Sequence, residues 1–262
     1  MSKLSSTLLT KSCIDLNADL GEGGQYDAAI LKIVSSANIA CGGHTGDAHS
    51  MRTAIRAARE NQVAIGAHPS FVDRENFGRS MQHPSPEILF EQLCEQVNGL
   101  IQIAKEEDCV VQHFKPHGAL YNQAAKDAEL GAILIRVIQH CQPHLRLVTL
   151  AGSALVAQAN AAGIQVIEEA FADRRYNRDG SLRARTFPDA CIEEDAEAVQ
   201  QTLSIVQQAQ VQSLSGELIS IHADTLCVHG DGAHALHLLE AIRTQLSKVG
   251  VAISSVYFDK HS

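Results

Sequence analysis

Four acidic or amide side chains, Asp15, Asn17, Asp19 and Glu22, fall within the nine residues IDLNADLGE (14–22). The stretch begins like a strand. Side chains alternate along a strand, so Ile14, Leu16 and Ala18 are expected on one face and Asp15, Asn17 and Asp19 on the other. A row of carboxylates repels itself and is costly to bury without a cation or a substrate beside it. A polar strand facing water is the plain alternative. Against it, residues able to do chemistry recur just past later apolar runs. They are Asn38, then His44 and Asp47 in ACGGHTGD; His68; Lys115 and His117 in HFKPHGALYN; Asp173 and Arg174; and His229 and Asp231 in CVHGD.

Carboxylates gathered with His, Lys and Arg suit hydrolysis of an amide or ester. One carboxylate activates water, an imidazole protonates the departing nitrogen, and Lys or Arg holds developing negative charge. Asp plus two His would also serve as a zinc or iron site, and His44 and His49 have a spacing found in such sites. Taken singly, each residue has an ordinary role. His44 and His68 can bond backbone, Lys115 can be a solvated loop lysine, and Asp47 is a natural N-cap for AHSMRTAI. The argument for a site rests on their convergence. The other histidines, His113 and His261 among them, read as structural or surface groups. Gly42-Gly43, Gly118 and Gly230/Gly232 mark turns of close approach or positive φ. The chain has no Walker A loop, no GxGxxG after a strand and no GxSxG elbow, so it carries no recognisable phosphate cradle.

These residues need strands to align them. Apolar β-type runs are expected at 13–18, 36–41, 63–67, 109–114, 146–150 and 164–168, then as a pair near 218–221 and 225–229, and finally at 251–257. Helical spacing fills the intervals at about 47–61, 86–105, 127–141, 153–162, 193–209 and 233–249. In 86–105, Leu89, Leu93, Val97, Leu100 and Ile101 share one face, and Ser85-Pro86-Glu87 supplies a cap, a first-turn proline and an early acid. Repeated βα units imply right-handed crossovers and a parallel sheet. Seven or eight of them in 262 residues suit an α/β architecture of the (β/α)-barrel kind, one domain over 1–262 with 1–12 as a flexible tail. Two loops, 68–84 and 171–190, are longer than a barrel needs and leave strand C-termini, where barrel active sites lie. The Arg content of the second suggests an anion-binding lid.

The composition, 45% hydrophobic and 19% charged, is that of an ordinary globular protein. A net charge of −9 with no basic stripe argues against nucleic-acid binding. No apolar run reaches membrane-helix length, and no signal peptide is evident, so a cytoplasmic protein is expected. The seven cysteines are scattered without a CxxC pair, as expected of reduced, half-buried thiols.

The segments DLNADLGE, SANIACGGHTGD, VAIGAHPSFVD with FGR, FKPHGALYN, FADRRYNRDGSLRAR and CVHGD, in this order from 15 to 231, resemble the LamB/YcsF family. The resemblance implies a barrel of the glycoside hydrolase/deacetylase type. It also implies the role of the A component in ATP-dependent opening of 5-oxo-L-proline (pyroglutamate) to glutamate by a 5-oxoprolinase, with ATP consumed by the complex. Subunits B and C would activate the lactam by phosphorylation, and the A component would complete ring opening. The motif positions carried over are Asp15, Asn17, Asp19, Glu22, Asn38, His44, Asp47, His68, Lys115, His117, Asp173, Arg174, Arg185, His229 and Asp231; His49 is not among them. On the chemistry of these residue types, the roles expected are water activation by Asp19 or Glu22, steadying of the phosphorylated oxygen by Lys115, protonation of the ring nitrogen by His117 or His44, and substrate carboxylate binding by Arg174 or Arg185. Departures lie at the rim: a short segment after Glu22, Ala48 after Gly46-Asp47, Asn76 before FGR, and Gly232-Ala233 after CVHGD. The alternatives are a stand-alone metal-dependent amidase or deacetylase and a non-catalytic lactam-binding subunit. Activity without ATP that tracks metal would favour the first, and tight 5-oxoproline binding with no catalytic carboxylate the second.

Overall fold

Six parallel strands open the chain, β1 (Cys13–Leu20), β2 (Ser36–Ala40), β3 (Ala64–His68), β4 (Val111–Phe114), β5 (Arg146–Leu150) and β6 (Val166–Phe171), each paired with the next. They belong to a computed structural model that describes residues 11–229 and 233–257. Next comes an antiparallel ribbon of β7 (Gln210–Gln212) and β8 (Leu218–Ser220), then β9 (Thr225–Cys227) and β10 (Ala252–Ile253). Strand β9 pairs in parallel with both β6 and β1, which closes a barrel of seven staves. The short β10 joins the first two residues of β1 beside the ring.

Two expectations are corrected here. The expected strand near 218–221 forms as β8, but its partner is the hairpin strand before it and not 225–229; only 225–227 continues the barrel. The final strand shrinks from 251–257 to two residues, because β9 occupies the β1 edge beyond Ile14.

The expected helices form as α2 (Ala48–Glu60), α3 (Pro86–Glu106), α5 (Ala128–Cys141), α6 (Ala154–Ala161), α7 (Asp195–Gln208) and α8 (Ala233–Lys248). Short α1 (Asp27–Ile30) and α4 (Gly118–Ala124) are additional. Helix starts are read by side chains: Ser85 accepts from Ile88 N–H at α3, and Asp47 and Ser50 close a capping box at α2. Among the described residues, no helix is long and apolar enough to cross a membrane.

Alternation along the staves divides two environments. Ile14, Leu16 and Ala18 of β1 belong to the large apolar core with Ile55, Leu93, Val97 and Leu100 of the helices. The opposite face is polar, and a separate small cluster of Ala64, Val148, Ile167 and Tyr257 lies apart from the main core. The Tyr257 ring stacks on His113 at 4.5 Å. Residues 1–10 of the expected tail lie outside the described residues, as do Gly230, Asp231, Gly232 and His261.

Candidate active site

Asp15, Asn17 and Asp19 are successive residues on one face of β1, about 13 Å from first to last at ~3.3 Å per residue. They meet three different surroundings. Asp15, fully buried, accepts from Ser35 Oγ (2.6 Å), Ser36 Oγ (2.7 Å) and Thr225 Oγ1. Burial raises its pKa, and its oxygens are already saturated with hydroxyls. Asn17 donates to Glu169 (3.0 Å) and Thr225 (2.7 Å), while its carbonyl accepts from Asn38 (2.8 Å). Asn38 also donates to Asp19 (2.8 Å), and His113 meets its carbonyl at 2.7 Å. This belt sets the height and tilt of Asp19.

At the mouth, Lys115 Nζ lies 3.0 Å from Asp19, 2.8 Å from Glu169, 3.2 Å from Asn17 Oδ1 and 3.2 Å from Cys227 Sγ. Burial alone would neutralise this lysine, but Asp19 and Glu169 hold its pKa well above the usual lysine value. Burial likewise opposes charge on Asp19, yet His68 and Lys115 keep that carboxyl well below its usual range. Burial pushes the Cys227 thiol far up against the pull of the lysine, so it stays protonated.

Three histidines and Glu22 complete the mouth. His44 Nε2 is 2.9 Å from Glu22 Oε1, and His68 Nε2 is 2.9 Å from His117 Nδ1 and 3.3 Å from Asp19. The His44 and His117 rings stack at 3.7 Å. Burial, then the nearby His68, lowers the His44 pKa to about 3 and drives that of His117 down as well, so both are neutral at pH 7. Backbone makes room for the stack: Gly78 has φ +64, and a Cβ there would sit 2.8 Å from His44 Cβ. Arg74 donates to the carbonyls of Gly42 and Gly46, bracing the turn that presents His44.

The other expected residues separate. His229 meets Asp173 at 3.0 Å and stacks on Phe171. Arg174 is buried and donates to the carbonyls of Ala190 and Arg183, so it ties the 171–190 loop to itself. In that loop Arg183 pairs with Asp189, while Arg175 reaches Glu197 of α7 and Arg178 reaches Glu217. Arg185 is exposed. Asp47 is exposed, and its carboxylate caps α2.

Four contributors were not among the candidate residues: Glu169, and Ser70, Phe77 and Cys227, which lie within the quoted segments VAIGAHPSFVD, FGR and CVHGD. His113, expected to be structural or superficial, is buried in the Asn38 belt. Among the described residues, two groups bring ligand atoms within 4.8 Å of one another, as metal binding requires: Glu22, His44, His68 and His117, and Asp19, Cys227 and His229.

Fold and site define a parallel β/α-barrel protein with a buried lysine–carboxylate pair and a polyhistidine centre at one mouth. The chain belongs to the LamB/YcsF family, which it matches over residues 14–260. It is 50% identical over 242 residues to a protein of Erwinia tasmaniensis named as the A component of 5-oxoprolinase, covering 92% of this chain and 99% of that one. The crystal structure of a lactam utilization protein from Thermus thermophilus superposes with a TM-score of 0.86 at 37% identity, covering 94% of this chain and all of that one. A deacetylase solved with substrate shares the fold alone, at a TM-score of 0.50 and 12% identity, over 94% of this chain and 89% of that chain.

Proposed function

We infer that this chain is the ring-opening component of an ATP-dependent 5-oxoprolinase. It acts in the cytoplasm with partner subunits B and C, which phosphorylate the lactam oxygen of 5-oxo-L-proline at the expense of ATP. The likeness to the Erwinia 5-oxoprolinase component over 92% of the chain is the observation that carries this reading. The mouth supplies suitable chemistry. Asp19, or Glu22, takes a proton from water attacking the activated ring carbon. Lys115, fixed and charged, faces the oxygen on which negative charge develops. The ring C–N bond then breaks as the nitrogen takes up the proton held by that carboxylate. The acyl phosphate left on the carbon is hydrolysed by a second water to glutamate and phosphate; neutral His44 and His117 border this path. Asn17, Asn38 and His68 hold Asp19 in place, Asp173 and His229 line the rim, and Arg185, with an exposed guanidinium, is better placed than Arg174 to take the substrate carboxylate. Glutamate release from 5-oxoproline and ATP, measured with purified partner subunits, tests this. Release that requires the chain supports the reading, and equal release without it overturns the reading. A metal-dependent amidase needing no ATP is the second reading, favoured by the Glu22 and histidine cluster.

A further inference from the structure

The three mouth histidines have their outer nitrogens committed. His68 Nδ1 lies 2.8 Å from the Lys115 carbonyl, and His117 Nε2 lies 3.0 Å from the Phe77 carbonyl. A carbonyl only accepts, so both nitrogens carry hydrogen. His44 Nδ1 lies 3.1 Å from Ser70 Oγ, whose own proton goes to the Phe71 carbonyl at 2.8 Å; His44 Nδ1 is therefore a donor too. With the outer nitrogens donating, the inner nitrogens, His44 Nε2, His68 Nε2 and His117 Nδ1, are the ones that can offer a lone pair to a ligand. They point at one another and at a carboxylate. His44 Nε2 meets Glu22 Oε1 at 2.9 Å, His68 Nε2 meets His117 Nδ1 at 2.9 Å, and His117 Nδ1 meets Glu22 Oε1 at 3.6 Å. Three ring nitrogens and a carboxylate oxygen, all within 4.8 Å of one another, are a donor set that one cation can take.

We propose that Glu22, His44, His68 and His117 form a binding site for one divalent transition-metal ion. Bonds of about 2.0–2.2 Å in a tetrahedral site separate neighbouring ligand atoms by about 3.4 Å, close to the spacings present. Three imidazoles and one carboxylate suit zinc, iron or manganese, and outer donors that fix each tautomer are typical of metal-ligating histidines. The second group, Asp19, Cys227 and His229, is a poorer site, because the Lys115 ammonium already lies 3.0 Å from Asp19 and 3.2 Å from Cys227. With the ion in place Glu22 is a ligand, and Asp19 is the carboxylate left to face substrate.

The test is direct metal binding by the full chain, which needs no substrate, ATP or partner and is independent of the 5-oxoproline reading. Chelator-treated protein is titrated with Zn²⁺ by calorimetry, and bound metal is counted by elemental analysis. The expected result is one equivalent per chain. Affinity should fall by about 100-fold or more in His68→Ala and His117→Ala, and by about 10-fold in Ser70→Ala, which leaves every ligand in place. Loading with Co²⁺ gives a second readout in unaltered protein: visible d–d bands of a nitrogen–oxygen site without a thiolate charge-transfer band. No stoichiometric binding, binding untouched by all three substitutions, or a thiolate band from Cys227 overturns the proposal. In the first case protons alone bridge the four acceptors.

Discussion

Burial would neutralise both Asp19 and Lys115 if each stood alone; 3.0 Å apart, they keep each other ionised. That mutual dependence separates Asp19 from Asp15, four residues earlier on the same strand face. Asp15 is surrounded by hydroxyl donors, and its loss leaves Ser35, Ser36 and Thr225 poorly partnered. Asp15→Asn is expected to act chiefly on folding, lowering stability by about 1–3 kcal/mol in urea denaturation. Asp19→Asn is expected to act on turnover, lowering kcat by about 100-fold or more while the protein stays folded. Measuring both quantities for both variants checks the division. Equal loss of kcat from the two would place Asp15 in the reacting centre as well. The sequence already placed Asp15, Asn17 and Asp19 on one face, and it named Lys115, His44, His68 and His117. It could not rank the carboxylates, because the hydroxyls saturating Asp15 come from positions 20 to 210 residues away.

Gly66 shows how an element makes room for the belt beneath the site. A Cβ at this position on β3 would lie 1.9 Å from His113 Nε2, the nitrogen that meets Asn38. Gly66→Ala must displace that ring within a closed barrel, and a loss of about 1–3 kcal/mol is expected in the same denaturation assay. A change within a few tenths would show that His113 can move freely. On the outside of the barrel, Arg56 and Arg52 of α2 clasp Glu107 at the end of α3, and Arg59 donates to its carbonyl. Hydrogen bonds from Arg56 and then Arg52 lower the Glu107 pKa from 4.5 to about 2. A depressed folded-state pKa means the clasp contributes fully above pH 4.5 and is lost as pH falls towards 2. The difference in thermal midpoint between wild type and Glu107→Gln should therefore be present at pH 6 and shrink through this window. A difference that grew on acidification would contradict the assignment. At this scale sequence patterning was most informative for helices and for the first six strands, whose apolar periods are long. It ended strand six at residue 168, and so missed that Glu169 and Phe171 continue the inward alternation to the mouth. It also paired 218–221 with 225–229 in place of 210–212, since a three-residue hairpin strand and a three-residue barrel strand carry the same apolar signal.

At the level of the whole molecule, ring closure brings residues from β1, β3, β4, β6 and β9 to one mouth, where a single lysine touches groups from three of them. A parallel barrel gathers strand ends without requiring them to be near in sequence. This is why the polar residues past each apolar run were informative as a set. Partner docking surfaces leave no comparable pattern in one chain. The arginine-rich 171–190 loop spends Arg174, Arg175 and Arg183 on its own carbonyls, on α7 and on Asp189, pairings that span too many residues to read from composition. The central claim is that this mouth, through Lys115, opens the activated lactam. Its most direct test is glutamate formed per ATP cleaved, with purified partner subunits, 5-oxoproline, and either the wild-type chain or folded Lys115→Ala. The account predicts glutamate only when the wild-type chain is present, with Lys115→Ala slower by about 100-fold or more. Full glutamate formation with Lys115→Ala would contradict it.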